Sequence, residues 1–211
     1  MNHDQIAHEC STLGSKTTRG DLGAAIAAIA LSYSPRDMQR MRRNFSQSIR
    51  HVAPEYRAAL EASVAEHLNG TYQSIRKMQN LRSFDHMREP VPPGAADFWA
   101  MVAAQCATGD EQQLRVRFLK FLLAAFCMLV QGLPGHPVGM PFPGRDRVAL
   151  IDGIYYCPVR EKANDVDSAL CPFCPALQTP EIGYLKPPVK GSEHRKQEFI
   201  EQTYRHHHFN G

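Results

Sequence analysis

Hydrophobic residues recur every three or four positions over much of the first 130 residues, which is the spacing of one face of an α-helix. This pattern predicts helices over residues 22–33, 35–51 and 54–78. Asp21 is expected to cap the first of them, and Ser34 followed by Pro35 is a typical start for the second. Gly70 marks an expected break in the third, because glycine costs about 1 kcal/mol inside a helix.

Two further helices are predicted over residues 95–107 and 110–131. In the first half of the last helix, we expect Leu114 and Phe118 to face inward and Arg115 and Lys120 to face outward. Its second half, residues 121–130, is apolar without interruption. A helix that is apolar on every side is surrounded by others, so we place this helix at the centre of a bundle.

The fold class predicted for the chain is therefore mainly α. Residues 19–131 form an N-terminal bundle of about five helices, and residues 145–211 form a small C-terminal lobe built on a β-hairpin and a cysteine cluster. The hairpin is predicted from two β-rich runs that flank Asp152-Gly153, a typical two-residue turn. Residues 132–144 hold four Gly and four Pro and are expected to be a linker loop. Residues 1–18 lack a periodic apolar pattern, and we expect a flexible N-terminal arm there.

Charge and hydropathy exclude several classes of protein. The formal net charge is only +3, and the arginines of the predicted second helix are balanced by acids of the third, so nucleic-acid binding is not expected. The longest apolar run has ten residues, whereas a bilayer crossing needs about 20, so no membrane partner is expected. The first 30 residues lack the pattern of a secretory signal. We therefore expect a cytoplasmic chain with reduced thiols.

Three of the six cysteines lie in the predicted lobe with the spacing C-x13-C-x2-C: Cys157, Cys171 and Cys174. A C-x2-C pair brings two thiolates to one soft cation, and a third thiolate from a nearby hairpin completes the usual pattern of zinc ribbons and of several iron-sulfur sites. Apolar residues are sparse after Gly144, and a lobe of this size generally needs a metal or a disulfide for stability. The sequence thus predicts a metal site, with zinc or an iron-sulfur cluster as the cofactor.

The fourth ligand and the chemistry remain open at this point. The candidates for the fourth position are Cys10, His136, His194, His206, His207 and His208, and an open position is the alternative. The Cys171-Pro-Phe-Cys174 segment also resembles a redox dithiol, because the C-x2-C motif lowers the pKa of a thiol. A thiol-disulfide redox factor or thiol enzyme is therefore the alternative function.

Three motifs carry a resemblance to a known family. They are His-Pro-Val-Gly-Met-Pro-Phe-Pro-Gly at 136–144, Tyr-Tyr-Cys-Pro-Val at 155–159 and Ala-Leu-Cys-Pro-Phe-Cys at 169–174. Together they resemble an uncharacterised protein family, a domain of unknown function, found mainly in methanogenic archaea. The resemblance implies an anaerobic cytosol, where an iron-sulfur cluster is as plausible as zinc, and it implies no reaction.

From the residues, we expect a cytosolic protein whose cysteine-bound metal has a structural or accessory role. A protein partner is expected to bind through the C-terminal lobe. No Ser-His-Asp triad, carboxylate pair or dinucleotide-binding motif is present that would predict a catalytic centre.

Overall fold

The fold is described from a computed structural model for residues 1–142, 146–161 and 170–180. These residues contain six α-helices, and a three-stranded sheet follows the last of them, as the predicted fold class requires. None of these helices is both long and apolar enough to cross a bilayer. The helices are α1 (His3–Gly14), α2 (Arg19–Ala30), α3 (Pro35–Ser48), α4 (Pro54–Asn80), α5 (Ala95–Gln105) and α6 (Glu111–Ala125).

The N-terminal segment is helical, so the expectation of a flexible arm over residues 1–18 was wrong. Asn2 and Gln5 form a capping box that starts α1. Ile6, Cys10 and Leu13 share one face of the helix at spacings of four and three residues, and all three are buried. This face packs against α5. The periodic apolar pattern of α1 has only three positions, and one of them is a cysteine, which behaves here as a small hydrophobic residue.

Local capping signals explain where α2 and α3 begin. Ser34 and Asp37 form a capping box at the start of α3, and Pro35 is the first helical residue, as predicted. The cap of α2 is Thr18, whose hydroxyl accepts from the backbone N–H of Asp21. Asp21 therefore lies in the first turn of α2 and does not cap it.

Helix α4 continues through Gly70, and the expected break at that position does not occur. A Cβ atom at Gly70 would meet nothing within 4 Å, so this face of the helix is open. The 27-residue length of α4 instead reflects packing along its other face, where Leu60 and Ile75 are fully buried. Tertiary packing outweighs a single unfavourable residue in a long helix.

Helix α6 runs into a π-helical turn, Phe126–Val130, and this apolar segment is buried as predicted. The core around it includes Phe98, Trp99 and Phe118, each at most 1% exposed. Helix α2 approaches this core closely, because a Cβ at Gly23 would lie 2.6 Å from the Phe84 ring. Glycine is required there by the distance between the two elements.

The C-terminal strands are β1 (Ala149–Ile151), β2 (Ile154–Cys157) and β3 (Leu177–Gln178). β1 and β2 form the predicted hairpin, and both turn residues, Asp152 and Gly153, have positive φ as this turn type requires. β3 pairs with β2 in parallel.

The sheet shares a core with the helices. This explains how the C-terminal region can pack with so few apolar residues of its own. Met140, Phe142 and Val148 are buried together with Ile49 and Leu60 of the helical region. The segment predicted as a linker therefore contributes three buried side chains, Pro134, Met140 and Phe142, and an isolated bridge joins Pro141 to Arg147.

Candidate metal centre

The three predicted thiols come together in space. Cys157 is the last residue of β2, and Cys171 starts a short 3₁₀ turn, Cys171–Phe173, that is followed directly by Cys174. The parallel pairing of β2 with β3 places this turn beside the end of β2. All three cysteines line one cavity, and each of the other two acts electrostatically on Cys171.

His136 lies with these thiols. Its Nδ1 atom is 3.9 Å from Cys157 Sγ, and its ring makes an edge contact with Phe142 at 5.3 Å between centroids. We refer to Cys157, Cys171, Cys174 and His136 as the thiol-imidazole cluster. No three His, Cys, Asp or Glu side chains in the described ranges have the geometry of a metal site as they stand.

The other predicted fourth ligands are placed elsewhere or are not described. Cys10 is buried where α1 meets α5, and its electrostatic neighbours are Cys106 and Glu9. It does not line the cavity of the cluster. His194 and His206, His207 and His208 lie outside the described residues.

Backbone donors and one arginine surround the sulfur atoms. The Gly135 amide donates to Cys174 Sγ at 3.4 Å, and the Val159 amide donates to Cys157. The Arg160 guanidinium acts on both Cys157 and Cys171 and is fixed by a 3.1 Å hydrogen bond from its Nε to the Ala176 carbonyl. N–H donors and a nearby cation favour the thiolate form of cysteine.

Burial opposes the thiolate form of these cysteines. Burial, followed by the neighbouring thiols, raises the pKa of Cys171 to about 12, and burial is the largest cause that raises the pKa of Cys157 to about 11. Burial also lowers the pKa of His136 to about 4, with further contributions from His67 and Lys120. At neutral pH the imidazole is therefore neutral, which is its metal-binding form, while the two thiols keep their protons until a cation displaces them.

A chain of polar contacts on α4 supports the loop that carries His136, and sequence reasoning missed it. Thr71 Oγ1 lies 3.2 Å from Cys127 Sγ, and Cys127 Sγ lies 3.9 Å from His67 Nε2. His67 is in turn hydrogen-bonded to the backbone of Gly135, whose own amide contacts Cys174. His67 and Thr71 are four residues apart on one helix face, and that spacing is the only signal the sequence offers.

The cluster opens onto a cavity of about 350 Å³ bounded by α3, α4, α6 and the loop of His136. Its walls are largely apolar, and its polar side chains include Arg117, Lys120 and Arg160. Lys120 was expected to face solvent, and that expectation was wrong, because it lines this cavity and is half-buried. Arg115, the other residue expected to face outward, is part-buried in an ion pair with Asp37.

All six cysteines fall in the described residues, and all six are free thiols. Cys10, Cys106 and Cys127 are buried away from the cluster, and burial raises the pKa of each. The sheet presents four exposed apolar side chains: Leu150, Ile151, Ile154 and Leu177. A protein partner for this lobe stays a prediction.

The fold and the cluster define a helical-bundle protein with a small cysteine-bearing sheet. Over residues 18–179 the chain matches the family described as "Uncharacterized protein conserved in archaea (DUF2115)", and it belongs to that family. The matched range contains the whole thiol-imidazole cluster and excludes Cys10, His194 and the histidines at 206–208.

Curated relatives come from methanogens. The chain is 32% identical to the UPF0305 protein MK0666 of Methanopyrus kandleri over 108 residues, which are 51% of this chain and 75% of the relative. It is 51% identical over 51 residues to a UPF0305 protein of Methanothermobacter thermautotrophicus, covering 24% of this chain and 33% of that protein. A second match in that organism is 30% identical over 86 residues, or 41% and 51% of the two chains. No solved structure matches the chain.

Proposed function

We propose that this protein binds one metal ion through Cys157, Cys171, Cys174 and His136, and that the ion fixes the C-terminal sheet against the helical bundle. The observation that carries the proposal is the 3.9 Å separation of Cys157 Sγ and His136 Nδ1. Two such ligands on one tetrahedral zinc ion, at about 2.3 and 2.1 Å, are roughly 3.6 Å apart. The observed separation is thus close to the one that a single zinc ion requires.

The donor set favours zinc. Three thiolates and one imidazole form one of the common closed, structural zinc sites. Iron-sulfur clusters are generally held by four thiolates, whereas this cluster of residues offers three thiols and one imidazole. The backbone amides on Cys174 and Cys157 and the hydrogen bond between His67 and the Gly135 backbone supply the outer contacts that orient ligands.

The ion would join elements that are distant in the chain. His136 follows the π-helical end of α6, whereas the cysteines belong to the sheet and its adjoining turn. The sheet shares its buried residues with the bundle and has no separate core. A structural zinc site contributes on the order of 10 kcal/mol of apparent binding energy at neutral pH, which is ample to hold such a lobe in place.

The surroundings of the C-x2-C pair favour a metal over dithiol redox chemistry. Redox dithiols generally place the attacking cysteine, partly exposed, at the start of a helix that stabilises the thiolate. Here Cys171 is 4% exposed and lies in a three-residue 3₁₀ turn, and Cys174 is followed by Pro175 and then by β3.

Metal content of the full chain, purified without oxygen and without chelator, tests the proposal. We expect about one zinc per chain. Cys171→Ser and His136→Ala are expected to lose the ion on dialysis, whereas Cys106→Ser, which removes a buried thiol outside the cluster, keeps it. Metal-free wild-type protein, or full retention by Cys171→Ser, would contradict the site. If the analysis instead finds several irons per chain with an equal amount of sulfide, the ligands hold an iron-sulfur cluster and not zinc.

A further inference from the structure

The cavity beside the thiol-imidazole cluster has walls that are largely apolar. They come from α3, α4 and α6, from the π-helical turn and from the loop of His136. The apolar side chains include Met41 of α3, Val64 and Leu68 of α4, Leu123 and Ala124 of α6, and Met128 of the π-helical turn. Water held against such walls is released favourably when an apolar molecule replaces it.

The cationic side chains in these walls already have partners. Arg117 donates from Nη1 to two backbone carbonyls at 2.6 and 3.1 Å. Arg160 donates to two other carbonyls at 3.1 and 3.4 Å. The Lys120 ammonium lies 5.8 Å from the centre of the Phe121 ring, within the range of a cation–π contact. An anionic ligand would have to compete for donors that are in use, and a cationic ligand would be repelled, so the walls favour a neutral ligand.

The volume of the cavity sets the size of the ligand. At about 350 Å³ it is within the range of small-molecule sites. An apolar cavity of about 150 Å³ holds one benzene molecule, so this one has room for roughly two rings. Met41, Met128 and Met140 line it from three different elements. Their flexible thioethers adapt to the shape of a ligand and make favourable contacts with aromatic rings.

We propose that this cavity binds a neutral, largely apolar molecule about the size of two fused rings, held by burial against the aliphatic and methionine side chains. Asn44 of α3 and Gln113 of α6 line the cavity and are exposed, so the ligand enters from solvent beside these two helices. This ligand site goes beyond the proposed metal site and does not rest on it, because the walls that carry the argument are not metal ligands.

Isothermal titration calorimetry on the full chain, with indole as the neutral probe, tests the proposal. We expect saturable binding with a negative change in heat capacity, which is the mark of buried apolar surface. Indole-3-acetate and tryptamine carry the same two rings with a negative and a positive charge. Each is expected to bind about tenfold or more weakly than indole, because its charge must leave water. No saturable binding of indole up to its solubility, or equal or tighter binding of either charged probe, would overturn the proposal.

Variants that fill the cavity locate the ligand. Ala124→Phe places a ring in the cavity from α6 and is expected to weaken indole binding about tenfold or more. Ala124→Leu, a smaller change in the same direction, is the second variant if Ala124→Phe does not fold. Ala62→Phe, at an exposed alanine of α4 outside the cavity, is the matched control and should bind indole as the wild type does. Unchanged affinity in a folded Ala124 variant would overturn the placement. Metal content measured on the same samples separates a failure of this site from a failure of the metal site.

Discussion

The ion pair between α3 and α6 gives a quantitative prediction for the frame of the cavity. Arg115 Nε and Nη2 donate to the two carboxylate oxygens of Asp37, each at 3.1 Å, and the Arg115 guanidinium lies over the Tyr33 ring at 4.2 Å. The Asp37 side chain is 13% exposed, so solvent screens the pair only in part. We predict that Asp37→Asn destabilises the fold, because both cavity-lining helices lose this bridge.

The magnitude follows from the pKa of the carboxyl group. Burial disfavours its ionisation, but the hydrogen bonds from Arg115 and Ser34 outweigh burial and lower the pKa of Asp37 from 3.8 to about 2. Such a shift corresponds to about 2 kcal/mol of folding free energy. Since the folded-state pKa is the lower one, this stabilisation is fully present above about pH 4 and is lost as the pH falls toward 2.

Urea denaturation of wild type and Asp37→Asn at pH 7, 5, 3 and 2 measures the effect. We expect a difference of about 2 kcal/mol at pH 7 and 5 that shrinks below pH 4 and nearly vanishes at pH 2. Asp21→Asn is the matched control, because Asp21 occupies the same helix position in α2 and accepts from its cap Thr18, but takes part in none of the described ion pairs. A difference that does not vary with pH, or an equal effect of Asp21→Asn, would refute the reasoning.

Three further predictions concern packing and the cluster. Gly23→Ala places a Cβ 2.6 Å from the Phe84 ring and should lower the melting temperature by several degrees. Gly70→Ala, whose Cβ has no atom within 4 Å, should leave the melting temperature unchanged or raise it slightly. A thermal melt in which Gly70→Ala is the less stable of the two variants would contradict the packing. Timed alkylation with mass detection should modify the three thiols of the cluster together and only after a chelator is added; fast, chelator-independent modification would favour redox chemistry. In hydrogen exchange, Cys171→Ser should reduce protection of β1–β3 and leave α2 and α6 unchanged; uniform loss would mean that the sheet and bundle unfold as one unit.

Local signals in the sequence predicted the parts of the fold that depend on a few adjacent residues. Ser34 with Pro35 starts α3, and the Asp152-Gly153 turn sets the register of the hairpin. α1 escaped prediction because its buried face has only three positions and one of them is Cys10. The break expected at Gly70 failed for the opposite reason, since packing along a long helix overrides a local preference.

The candidate site also has parts that the sequence could predict and parts that only the fold could show. The C-x2-C spacing predicted Cys171 and Cys174 as ligands, but the position of His136 beside Cys157 could be seen only in the fold, because 21 residues separate the two in the chain. His67 was missed because nothing along the chain connects α4 to this loop. Lys120 was assigned to the surface because lysine is rarely buried, but the fold places it in the wall of the cavity beside the cluster.

The most direct measurement of the central claim is X-ray absorption of the anaerobically purified chain, at the edge of the metal it contains. Coordination by the thiol-imidazole cluster predicts three sulfur neighbours at about 2.3 Å and one nitrogen neighbour at about 2.1 Å around a zinc ion. Cys157→Ser should replace one sulfur by a lighter atom or empty the site. A shell of nitrogen and oxygen alone, or protein that carries no metal, would contradict the claim that these four residues share one ion.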